Sequence, residues 1–243
     1  IAGGGGDESL SIGAAIFHSN QINPKISFQS PLHDYHGPEI DDQSLDKIME
    51  KKGLSSEFNL KHTNNLEIAE LLSQNYVIGR CKGRSEFGPR SLGNRSILAN
   101  PSKVDNLKKI NEKIKFRDFW MPFTPSILIE QSEKYVINPK NILSPYMTIG
   151  FDSTEKAKVD LVAAIHPADQ TLRPQFVEKS TNPEYHDLIS KFEALTGIGG
   201  LLNTSLNLHG EPIVGNVDDA IHTLLNSDLD ALVINDYLIS RKR

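Results

Sequence analysis

The sequence predicts an α/β (α+β) domain, because short apolar strands alternate with helices along most of the chain. Apolar runs such as 76–81 and 200–203 are too short for helices and end on polar or turn residues. Other segments carry helical spacing, as with Leu66, Ala69, Leu71 and Leu72 inside 65–75. The two patterns interleave, which argues against a repeat protein or a helical bundle.

Residues 21–39 are rich in Pro, Asn, Ser and His, and read as a crossing segment. His33 and His36 flank Asp34 there. With no third ligand nearby and Pro31 and Pro38 on either side, a surface loop is favoured over a metal site. Helix 42–52 follows, with acidic residues near its start and Gly53 past its end. Helix 65–75 leads into strands 76–81 and 95–99. The helix from about 102 to 114 carries Lys108, Lys109 and Lys113 on a solvated face. Strands are expected at 126–129, 146–151, 161–165 and 175–177. Helix 183–196, strand 200–203, helix 217–226 and strand 231–234 complete the series.

The chain has 243 residues, 38% hydrophobic and 23% charged, enough to bury a sizeable core and typical of globular proteins. No apolar run reaches the roughly 18–20 residues that a membrane-crossing helix needs. The single cysteine, Cys81, lies in a buried-strand pattern and reads as a packing thiol; cytoplasmic location is the expectation. The net charge of −5 argues against general nucleic-acid affinity. Residues 82–117 nevertheless hold ten Lys/Arg against three Asp/Glu, a local +7 that leaves −12 for the remainder. Concentrated positive charge favours a small polyanionic ligand in one pocket.

The richest segment is 83–96, Gly-Arg-Ser-Glu-Phe-Gly-Pro-Arg-Ser-Leu-Gly-Asn-Arg-Ser. Its breakers exclude a regular helix, and its arginines do not suit a half-buried strand. Arginine forks recognise phosphate and carboxylate, and glycine lets backbone N–H groups approach an anion. A built anion site and a solvated basic loop are the two readings. No Walker loop or Rossmann fingerprint occurs, so any nucleotide is held in another way.

This motif resembles the signature of the NodU/CmcH-type O-carbamoyltransferases. The resemblance continues through 96–101, 110–117 and 122–126, then Ser144-Pro-Tyr-Met147, Asn203-Thr-Ser-Leu-Asn207 and Gly210-Glu-Pro-Ile-Val214, spanning about 75–239. It implies a twisted mixed sheet flanked by helices, similar to YrdC-type proteins that bind ATP in a sheet cavity, over 39–243. Residues 1–38 then resemble the tail and linker of an N-terminal actin-like ATPase-fold domain. In that domain Asp7 would join histidines supplied upstream at an iron-type divalent metal; otherwise Asp7 caps a helix starting near Ser9.

The resemblance implies a set of site residues. Lys82-x-Arg84 and Ser205-x-Asn207 match K-x-R and S-x-N pairs placed around nucleotide phosphates. With Arg90 they form the expected catalytic group, and the ends of strands 76–81 and 200–203 should then lie side by side. Glu86, Gly88, Gly93, Asn94, Arg95, Ser96, Lys115, Arg117, Asn203 and Thr204 are expected around nucleotide and phosphate, with a structural turn as the other reading of 203–207. His166 and Arg173 lie in a segment similar to the family's His-x-Asp-Gly-Thr-x-Arg-x-Gln, with one inserted residue and Gln170 in place of glycine. His166 either orients a carbamoyl group or pairs with backbone, and His209 reads as a turn residue. Glu211 would bind a ribose hydroxyl or position a basic side chain. Segment 116–123 is either a wall enclosing the reaction or core packing.

The implied chemistry uses carbamoyl phosphate, ATP and Mg²⁺ to make carbamoyl-adenylate for a hydroxylated small-molecule or saccharide acceptor. A homodimer is one assembly this allows; neither nucleic acid nor membrane is expected as a partner. The rival readings are an RNA- or nucleotide-binding module without catalysis, and an acyl-adenylate former using another carboxylate.

Overall fold

A computed structural model describes residues 4–28, 33–43, 45–115 and 121–242. Helix α1 (Leu10–Ile22) buries none of its side chains and leaves Leu10, Phe17 and Ile22 exposed. Helix α2 (Leu45–Lys51) and strand β1 (Phe58–His62) precede α3 (Asn65–Ser73) and β2 (Ile78–Cys81). Then come β3 (Arg95–Ala99), α4 (Val104–Ile110) and β4 (Thr124–Leu128). A small excursion holds α5 (Ser132–Tyr135), β5 (Val136–Ile137), β6 (Phe151–Ser153), α6 (Glu155–Asp160) and β7 (Thr171–Leu172). The chain returns through β8 (Gln175–Val177), α7 (Pro183–Thr196), β9 (Gly200–Ser205), α8 (Val217–Leu225), β10 (Ala231–Ile234) and β11 (Tyr237–Arg241).

Eight strands form one mixed sheet in the order β1-β11-β10-β2-β3-β9-β4-β8, and β5-β6-β7 form a second, antiparallel one. Period-two alternation decides which face each residue serves. Ile97, Leu202 and Leu232 join the core under α2, α4 and α8. Leu98, Leu201 and Val233 join the core under α3, α7 and the small sheet. The expected mixed sheet flanked by helices is therefore present.

Local chemistry sets the helix ends. Asn182 caps α7 by accepting from Tyr185 N–H, Pro183 fits its first turn, and Gly197 closes it with φ of 79°. Asn216 and Asp219 form a capping box on α8. Strand 95–99, strand 175–177, helix 183–196 and strand 231–234 match expectation to the residue.

Two expected strands differ. Residues 161–165 form a 3₁₀ turn at Val162–Ala164, whose alanines pack in a tight bend. The expected strand 146–151 is irregular until Phe151, because Met147 takes a left-handed φ of 55° that no strand accommodates. Asp7 does not cap α1: it is exposed, in a single 3₁₀ turn, and α1 has no side-chain cap.

Candidate functional site

The loop from Lys82 to Ser96 joins β2 to β3 and is tied to itself. Glu86 Oε1 accepts the N–H groups of Leu92, Asn94 and Arg95, so one carboxylate gathers the second half of the loop. Arg95 is fully buried, and its fork donates to the carbonyls of Lys82, Asn94, Pro38 and Gly83. Asn94 accepts from Arg80 and Asn182 and donates to the Arg84 carbonyl. Ser96 Oγ accepts the Gly93 N–H. Gly88 and Gly93 both have positive φ, and a Cβ on Gly93 would lie 2.4 Å from the Tyr185 ring. Glycine is required at 93 twice over. Glu86, Asn94, Arg95 and Ser96 thus build the loop, and their polar atoms face inward.

The chain before the loop belongs to the same construction. Gly37 N–H donates to the Ser85 carbonyl, Ser85 N–H to Pro38, and Ile40 N–H to Gly83. Tyr35 Oη donates to the Leu92 carbonyl.

Arg90 is the exception within the loop. It is exposed and projects into a recess of about 90 Å³ shared with Ser91, Met147, Arg173, Asn203 and Ser205. The recess opens into a larger cleft of about 680 Å³, where Met121, Phe123, His166 and His209 line the walls. Among the described residues no carboxylate pairs with Arg90 or Arg173. Burial holds the Arg173 guanidinium below its ordinary basicity, and the neighbouring Arg90 charge adds to this. Arg173 Nε is buried without a partner. Two unneutralised guanidiniums brought together are repulsive until an anion arrives, which makes the recess electrostatically an anion receptor.

The opposite wall is the end of β9. Lys115, buried at the end of the helical segment after α4, donates to the carbonyl and hydroxyl of Ser205 and to Asn207. Ser205 Oγ donates to Asn207 Oδ1, and Asn207 Nδ2 to the Glu211 carbonyl. Lys115 therefore holds the Ser205–Asn207 turn in shape, and Thr204 and Ser205 reach the recess from it.

The remaining expected residues lie elsewhere. Lys82 pairs with Asp236 and Glu184, at 2.8 and 2.9 Å. Arg84 donates to the His36 carbonyl. Strand β3 lies between β2 and β9, so the K-x-R and S-x-N segments are not on adjacent strands, contrary to expectation. Two strand spacings, roughly 10 Å, part them. His166 lines the outer cleft with its ring Nδ1 2.9 Å from Asp169, and its main-chain N–H donates to the Thr171 carbonyl. The Glu211 carboxylate meets His222 at 3.2 Å. Arg117 and the rest of 116–120 lie outside the described residues. No group of three His, Cys, Asp or Glu that could hold a metal occurs among the described residues, Asp7 and the His33–His36 pair included.

Sequence reasoning gave no role to Arg80, Thr124 or Met147, although Met147 closes the Ser144-Pro-Tyr-Met147 motif. Arg80 interrupts an apolar strand, a readable signal, and its guanidinium sits 5.4 Å from the Tyr185 ring centre, supporting Gly93 and Asn94. Nothing in the sequence marks the left-handed Met147, whose Sδ accepts from Thr124 Oγ1 at 3.0 Å.

The chain is similar to known proteins in sequence and in fold. The chain is 39% identical over 241 residues to an uncharacterized protein of Methanocaldococcus jannaschii, covering 97% of this chain and 45% of the relative. It is 37% identical over 240 residues to the nodulation protein NolO of Bradyrhizobium diazoefficiens, covering 98% and 43%. It is 32% identical over 170 residues to the 3'-hydroxymethylcephem-O-carbamoyltransferase of Amycolatopsis lactamdurans, covering 70% and 32%. The chain thus spans less than half the length of these relatives. In fold it is similar to full-length HypF, solved in a phosphate- and nucleotide-bound form, with TM-score 0.52, 16% identity and coverage of 72% and 25%. Escherichia coli YciO gives TM-score 0.51, 16% identity and coverage of 71% and 80%. These bear out the YrdC-like fold. The carbamoyltransferase C-terminus model matches residues 69–241, and the chain belongs to that family.

Proposed function

We propose that this chain is the nucleotide-activating part of an ATP-dependent O-carbamoyltransferase. The observation that carries the proposal is the Arg90–Arg173 pair, two guanidiniums beside a polar strand end with no carboxylate partner among the described residues. In this reading carbamoyl phosphate is hydrolysed to carbamate and phosphate. A carbamate oxygen then attacks the α-phosphorus of ATP as the bond to pyrophosphate breaks, giving carbamoyl-adenylate. Charge gathers on phosphate oxygens throughout, so the protein's work is positioning and charge stabilisation.

Arg90 and Arg173 would hold phosphate oxygens, with Thr204 and Ser205 donating from the facing wall. Lys115 keeps that wall in register. Without a carboxylate cluster among the described residues, Mg²⁺ would be held by the triphosphate itself with Ser, Thr and Asn oxygens around it. It would neutralise charge on the leaving pyrophosphate. Met121, Phe123 and the larger cleft would exclude water from the unstable adenylate. Transfer to an acceptor hydroxyl would use parts found in the longer relatives, and no step is assigned to Asp7.

Exchange of labelled pyrophosphate into ATP tests the reading. Exchange that requires carbamoyl phosphate and falls at least about tenfold in Arg90→Lys, which keeps charge but loses the planar fork, supports it. Exchange driven equally by other carboxylates would favour a general acyl-adenylate former.

A further inference from the structure

Among the described residues that line the recess, one side chain keeps a buried acceptor that the fold leaves unused. Asn203, on β9, is 1% exposed, and its Nδ2 donates to the Ser91 carbonyl at 3.2 Å and to Ser126 Oγ at 3.0 Å. Ser126 Oγ gives its own proton to Gln175 Oε1, and Gln175 Nε2 donates to the Leu92 carbonyl. Both ends of this relay are main-chain carbonyls, which only accept. The direction of every hydrogen bond is therefore fixed, and the Asn203 amide cannot be turned over. Its Oδ1 is left buried with no partner.

A buried acceptor without a donor is costly, and native structures retain few. Arg173 lines the same recess, and its buried Nε is a donor without a partner. A ligand that satisfies both must carry an N–H donor and an oxygen acceptor within a small group, together with negative charge for the arginines. Acetyl phosphate offers acceptors only, and inorganic phosphate has no N–H and donates only through a P–OH of the charged group itself. Carbamoyl phosphate offers all three.

We propose that Asn203 is the specificity residue of the site, its Oδ1 accepting from the amino group of the carbamoyl moiety. The inference rests on the carbamoyl reading given above and adds the atom that reads the substrate. Acetyl phosphate has nearly the same shape but puts a methyl group against Oδ1, leaving the acceptor unpaired. Sites built to hydrogen-bond a substrate group reject the analogue lacking it far more strongly than apolar pockets discriminate by size.

Calorimetric titration of the chain with carbamoyl phosphate, acetyl phosphate and inorganic pyrophosphate tests the proposal. The expected result is binding of carbamoyl phosphate at least about tenfold tighter than acetyl phosphate. Asn203→Ala should bring the two within about twofold, chiefly by losing carbamoyl phosphate affinity. Should that variant fail to fold, side-chain amide NMR of the unaltered protein carries the test. The Asn203 resonance should move with carbamoyl phosphate and not with acetyl phosphate. Equal affinities, or an unmoved Asn203 resonance, would overturn the assignment. If pyrophosphate still binds, the anion site survives that failure; if none of the three ligands binds, both readings fall.

Discussion

Arg95 and Arg90 belong to one short motif, yet the fold uses them in opposite ways. Arg95 is fully buried and gives its fork to four main-chain carbonyls. Arg90 is exposed, has no carboxylate partner among the described residues and stands beside a second guanidinium, Arg173, of which the same is true. The difference lies in what each can still bind. Arg95 has spent both terminal nitrogens on shape and keeps only a buried Nε without a partner, whereas the Arg90–Arg173 pair retains its terminal nitrogens for a ligand. The same contrast separates Glu86, whose oxygen holds three N–H groups, from Asn203, whose oxygen holds none.

The largest expected effect breaks the structural side of this contrast. Glu86→Ala leaves the N–H groups of Leu92, Asn94 and Arg95 without their acceptor. Each buried orphan costs on the order of 1–3 kcal/mol, and after relaxation the variant should lose about 3 kcal/mol of folding stability. Glu86→Gln keeps an acceptor oxygen and should lose about 1 kcal/mol. Urea denaturation reads both; equal, small losses would show that the carboxylate does not tie the loop.

A smaller effect sharpens the comparison between charged and neutral buried groups. Burial pushes the Cys81 thiol from 9.0 up to about 11. A raised acid binds its proton more tightly in the folded state, so its contribution is complete below about pH 9 and is lost as pH rises through about 11. Stability should decline across that window, and Cys81→Ala should flatten part of the decline. Chemical denaturation at stepped pH measures this. An alkaline slope unchanged in the variant would show that Cys81 contributes nothing there.

Much of the fold was legible because hydrophobic period and cap chemistry agree. Asn182-Pro183 and Gly197 bracket α7, and Ala231–Ile234 is an uninterrupted apolar run. The edge strand β1 and its neighbour β11 were missed because Asn59, Lys61 and Arg241 break their apolar pattern with exposed side chains. The site was half legible. Composition marks the 83–96 loop as anion chemistry, and the motifs collect Arg90, Arg173, Lys115 and Asn203–Asn207. Sequence could not say which arginine would be consumed by carbonyls, because that depends on the chain around 38 and on the strand order. It also could not show that Lys82 would meet Asp236 and Glu184, more than a hundred residues away in sequence.

The central claim is that the uncommitted guanidinium pair binds the anion while the committed cations do not. Calorimetry with pyrophosphate on Arg90→Ala, Arg173→Ala and Lys82→Ala, with thermal melting alongside, tests it most directly. The account predicts losses of about 1.5–3 kcal/mol in affinity for each arginine variant, as for charge-assisted hydrogen bonds, and a loss below about 0.5 kcal/mol for Lys82→Ala. Free Arg90→Ala should melt no lower than the unaltered protein, because Arg173 loses a like-charged neighbour. Undiminished binding in both arginine variants, with the loss falling on Lys82→Ala instead, would contradict the account.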